Sequence, residues 1–99
     1  MTNDPFLDDL LAFLGASPTP FHAVASATER LAAAGFQPIA ETDPWTDLRP
    51  GRYTFAHGGS SVFAFVIPEG KRISGFRIVG AHTDSPNLRL KPNAEYKKE

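Results

Sequence analysis

The chain has 99 residues, a formal net charge of −1 and 41% hydrophobic residues. That length allows one domain at most, and the apolar content argues against disorder. Mixed charge gives no case for nucleic acid or an anionic membrane, and without cysteine any metal must take nitrogen and oxygen ligands.

The N-terminus carries Asp4, Asp8 and Asp9 but no early lysine or arginine, unlike a signal peptide. No run approaches the roughly 20 apolar residues of a membrane span, so a soluble, cytoplasmic protein is expected. Asn3 or Asp4 can cap a first helix, with Pro5 at its first position, where the missing N–H costs nothing. Phe6, Leu7, Leu10, Leu11 and Leu14 recur at helical spacing, which predicts a packing helix, and Gly15 is placed to stop it. Ser17-Pro18-Thr19-Pro20 reads as a rigid linker whose last two residues cap and start a second helix. Phe21, Val24, Thr28 and Leu31 mark one face of that helix, which should run to about Ala34. Gly35 suits a left-handed residue after it, with Phe36 turning back on Leu31 in a Schellman arrangement. His22 sits in the first turn, where the positive helix end disfavours a cation. A hydrogen-bonded, non-catalytic histidine is the better reading.

Phe36 to Ile39 reads as a short strand, and Pro38 favours an edge position. Glu41 to Leu48 reads as a loop, with Trp45 anchoring it on the core rather than lining a site. Pro50-Gly51 fits a turn, and Tyr53, Phe55 and His57 alternate as in a half-buried strand. His57-Gly58-Gly59-Ser60 is a hairpin connection, and His57 is expected to be solvated. Ser61 to Ile67 is apolar on both faces, a pattern that belongs inside a sheet covered on both sides. Pro68-Glu69-Gly70-Lys71-Arg72 follows as a polar, solvated loop.

Gly75 to Pro86 opens as an apolar run with β-branched Ile78 and Val79, which predicts a further strand. Its end carries His82 and, two residues on, Asp84; alternation puts both side chains on one face. A metal-bound histidine usually donates its free ring N–H to a carboxylate, which fixes the tautomer and aims the ring. A His-x-Asp pair alone also fits a surface hydrogen bond with no further role. Leu88, Leu90 and Lys91 then alternate before Pro92.

The longer string Ala81-His82-Thr83-Asp84-Ser85-Pro86, with Leu88 and Leu90-Lys91-Pro92, resembles the metal-site signature of the aspartyl aminopeptidases. The resemblance takes in Ser17-Pro18-Thr19-Pro20-Phe21-His22-Ala23-Val24, Trp45, Pro50-Gly51 with Tyr53, and Ser60 to Phe65, in the expected order. It departs at His57-Gly58, where family members commonly carry Arg-Asn, so any role of that arginine is in doubt.

The resemblance implies a dinuclear zinc exopeptidase acting on peptides that begin with Asp or Glu, and a homo-oligomer. It implies that His82 binds one zinc ion and that Asp84 stands behind the imidazole as the catalytic carboxylate that orients it. The remaining ligands and the general base lie downstream in the family, so residues 1–99 are expected to be the incomplete, N-terminal part of a catalytic domain. The expected architecture is α/β: two N-terminal helices, then strands of a larger mixed sheet covered by helices. Two other classes stay open, a non-catalytic assembly or binding segment and a plain α/β scaffold.

Overall fold

A computed structural model describes residues 4–70, 72–86, 88, 90–93 and 95. The expectations for Asn3 and Lys71 lie outside the described residues.

Helix α1 spans Pro5–Gly15. Asp4 caps it: one carboxylate oxygen accepts the N–H of Phe6 at 3.0 Å and of Leu7 at 3.5 Å. These are two of the first-turn donors that no helical carbonyl can reach. The helix does end at Gly15, but without a left-handed residue, because the cap Ala16 keeps a right-handed φ of −83°. Its leucine stripe corrects the expectation of packing. Phe6, Leu7, Leu10, Leu11 and Leu14 are all exposed, from 43% to 80%. What touches the second helix is the flank carrying Asp9 and half-buried Phe13, both engaged by Arg30.

Helix α2 spans Pro20–Ala33, with Thr19 accepting the His22 N–H at 3.2 Å. Its end is a Schellman motif: Phe36 N–H donates to Leu31 at 2.9 Å and Gly35 N–H to Ala32 at 3.0 Å. Gly35 has the φ of +90° that this closure demands.

The sheet has the order β1-β2-β3, with β1 at Gln37–Pro38, β2 at Gly51–His57 and β3 at Ser61–Ile67. The β1–β2 pair is parallel and β2–β3 antiparallel, so the sheet is mixed, and Pro38 does sit on an edge strand. Two left-handed glycines, Gly58 and Gly59, turn the hairpin. Alternation gives β2 and β3 two distinct faces. Arg52 donates to the Ala34 carbonyl at 2.9 Å, so α2 lies over the face carrying Arg52 and Thr54. Val24 on α2 and Thr54 are buried there, and the Thr54 hydroxyl donates to the Phe63 carbonyl at 2.8 Å. The other face stacks Tyr53 on Phe65 and Phe55 on Phe63. Trp45 packs edge-on against Phe55 at 4.8 Å and donates to the Ala40 carbonyl at 3.1 Å, as expected of a loop anchor.

Two strand expectations need correction. Ser61 to Ile67 forms β3, but among the described residues it pairs on one side only, and Phe63 and Val66 are 50% and 61% exposed. The described residues of 72–95 form no strand; Ile78 and Val79 are 86% and 99% exposed. Strand propensity fills a ladder only where a neighbouring strand offers one, and among the described residues no strand pairs with this run.

Candidate metal-binding segment

His82, Thr83 and Asp84 lie on extended chain beyond β3, not at the end of a strand. Spacing still brings the first and last together. His82 Nδ1 is 2.7 Å from the backbone oxygen of Asp84 and 3.1 Å from its Oδ1. Both are acceptors only, so Nδ1 carries the proton and donates. The Nε2 lone pair is left free to meet a ligand. Side-chain exposures of 80% for His82 and 63% for Asp84 leave that nitrogen open to solvent.

Thr83 points the other way. Its hydroxyl donates to the Ser60 carbonyl at 2.8 Å. That carbonyl is held by the hairpin turn, in which Ser60 N–H donates to the His57 carbonyl at 3.3 Å. A side chain at Gly59 would meet the Phe21 ring at 3.3 Å, so the turn is packed against the start of α2. Sequence pattern singled out His82 and Asp84 but assigned nothing to the threonine between them; its tether spans 23 residues, beyond the reach of any local signal.

The other two histidines are elsewhere. His22 Nδ1 is 2.7 Å from the Thr19 hydroxyl, whose oxygen also accepts the His22 backbone N–H, so this ring serves the helix cap. His57 is not simply solvated: its Nδ1 is 2.7 Å from Glu41 Oε2, tying the end of β2 to the loop before Trp45. At the helix pair, the Arg30 guanidinium on Asp9 Oδ2 at 2.6 Å holds that carboxyl below its ordinary range.

Among the described residues no group of three or more His, Asp or Glu side chains gathers to hold a metal ion. A catalytic zinc normally takes three protein ligands. The segment therefore fits one ligand position, an imidazole with a carboxylate behind it, and not a whole site.

Residues 13–99 match the family model described as aminopeptidase I zinc metalloprotease (M18). The chain is 55% identical over 89 residues to a probable M18 family aminopeptidase 2 of Streptomyces coelicolor, covering 89% of this chain and 20% of that protein. A probable M18 family aminopeptidase 2 of Pseudomonas putida is 47% identical over 91 residues, 91% of this chain and 21% of the relative. The chain thus spans about a fifth of the length of these curated relatives. A chain in the cryo-EM structure of the Ape4 and Nbr1 complex matches with a TM-score of 0.81 at 40% identity, over 92% of this chain and 18% of that one. A chain of the S. cerevisiae mApe1 dodecamer matches with a TM-score of 0.59 at 23% identity, over 64% of this chain and 15% of that one, a likeness of fold alone.

Proposed function

The chain belongs to the aminopeptidase I zinc metalloprotease (M18) family, and from that premise we propose that the natural-length protein hydrolyses N-terminal peptide bonds, with Asp or Glu preferred at the N-terminus. Residues 1–99 are, in this reading, the N-terminal part of its catalytic domain. The protein is cytoplasmic and homo-oligomeric, and its dinuclear site takes two zinc ions. The acidic preference, the two ions and the oligomer rest on the family resemblance.

The observation that carries the site reading is the pair of acceptors on His82 Nδ1. They hold the proton on Nδ1 and aim Nε2 outward as a neutral nitrogen donor, the form in which imidazole binds zinc. Asp84 supplies one of those acceptors and so helps to fix the tautomer and aim the ring. Bound zinc supplies the Lewis acid that polarises the scissile carbonyl. The chain's own part is to present one nitrogen in a fixed tautomer and orientation.

His82→Ala and Asp84→Asn separate these roles in the natural-length protein. His82→Ala removes a ligand, so metal content should fall by about one ion per chain and activity should collapse. Asp84→Asn keeps an acceptor but loses the charge; near-full loading at saturating zinc with rate or affinity lowered about 10- to 100-fold is expected. Metal analysis beside kinetics on an Asp-anilide substrate reads both. Asp84→Asn stripping the metal as fully as His82→Ala would make Asp84 a direct ligand. No effect from either would leave the segment structural.

A further inference from the structure

From Pro68 onward, Thr83 is the one described residue that is not exposed. Its bond to Ser60 is also the one side-chain hydrogen bond that ties the described residues after β3 to the rest of the molecule. The other polar contact recorded for this stretch, His82 with Asp84, is internal and fixes only the ring relative to its own backbone. Something else must fix that backbone relative to the sheet. Neighbours in an extended chain point to opposite sides, so Thr83 can face the hairpin while His82 and Asp84 face away.

We propose that Thr83 is a positioning residue: its hydroxyl, bonded to the Ser60 carbonyl, anchors the His82–Asp84 pair to the β2–β3 hairpin and so sets where Nε2 points. The receiving carbonyl is well suited to the task. It belongs to a turn built on Gly58 and Gly59, closed by its own backbone bond and packed on Phe21. An anchor on such a turn moves little, and a metal ligand must be held tightly to bind well. The inference rests on the reading of His82 as a ligand, so its test carries a control for that reading.

The experiment is zinc titration of the metal-stripped, natural-length protein, with thermal unfolding of each variant alongside. Thr83→Val keeps the shape and removes the hydroxyl; Thr83→Ala removes it without the branched bulk; Thr83→Ser keeps it. Val and Ala should weaken zinc binding by roughly 3- to 10-fold, the worth of one hydrogen bond. Thr83→Ser should return affinity to within about 2-fold of the parent, and none of the three should shift the unfolding midpoint by more than a degree or two. Parent-like affinity in Val and Ala, with His82→Ala still losing its ion, overturns the anchor and leaves the ligand reading standing. Equal weakening in Ser, Val and Ala also overturns it, because packing rather than the hydroxyl would then be responsible. Undiminished zinc in His82→Ala overturns the ligand reading and the anchor with it.

Discussion

Asp9 and Arg30 show how one side-chain pair can decide the docking of an element. Their 2.6 Å contact, with Arg30 also over the Phe13 ring at 5.1 Å, is the main polar tie between α1 and α2. The hydrogen bond from Arg30 lowers the Asp9 carboxyl from its ordinary 3.8, with the attraction of the two charges adding to it and desolvation opposing. A carboxyl lowered on folding contributes above its unfolded value and loses that contribution as pH falls through the folded one. The α1–α2 contact should therefore hold at neutral pH and loosen below about pH 4. High salt should weaken it as well, since both groups are exposed. Nuclear Overhauser contacts between the helices, followed from pH 7 to 3, read this directly. Asp9→Asn should show the loosened pattern at every pH; parent-like contacts in Asp9→Asn at pH 7 would rule out the pair as the tie.

At the scale of elements, two glycines after two helices behave differently, and a single substitution at each separates them. Gly35 closes α2 at φ +90° and takes part in the Schellman bonds. Gly35→Ala puts a Cβ in the left-handed region and should cost about 1 to 2 kcal/mol. Gly15 ends α1 without a positive φ, and a Cβ there meets nothing within 4 Å. Gly15→Ala should be neutral or stabilise by up to about 1 kcal/mol, through helix propensity and a less flexible unfolded chain. Thermal unfolding of both variants in the natural-length protein checks the contrast, and equal shifts would contradict it.

For the molecule as a whole, the side of β3 that is unpaired among the described residues and the exposed apolar surface matter most. Phe6 at 80%, Phe76 at 83%, Ile78 at 86% and Val79 at 99% are exposed, and only Val24, Tyr53 and Thr54 are buried among the described residues. The radius of gyration is 18.6 Å, against roughly 13 Å for a compact domain of this length. Apolar segments with free edges pair with other chains. The 99-residue chain by itself should self-associate, and with no group of three or more possible metal ligands gathered among its described residues it should release nothing from an Asp-anilide in the presence of zinc. Light scattering and a turnover assay test this. A monomer with a sharp, reversible thermal transition would contradict the first part, and turnover that tracks the purified chain the second.

What the sequence alone determined is what neighbours in the chain settle between themselves. Asp4-Pro5 and Thr19-Pro20 start helices because a side-chain oxygen reaches N–H groups two or three residues on. Gly35 and the Gly58-Gly59 pair stand where the backbone needs a left-handed turn, and His82 meets Asp84 because they lie two positions apart in the chain. Pattern also marked Pro38 as an edge residue and Trp45 as an anchor. Tertiary structure decided everything that depends on a distant surface. It turned the α1 leucine stripe to solvent, made β2 the middle strand and gave His57 to Glu41 across 16 residues. It left Phe76 to Ala81 without a ladder and tied Thr83 to Ser60. The apolar pattern of a segment shows that it can be buried or paired; the partner comes from elsewhere in the fold, and the pattern carries no record of which partner that is.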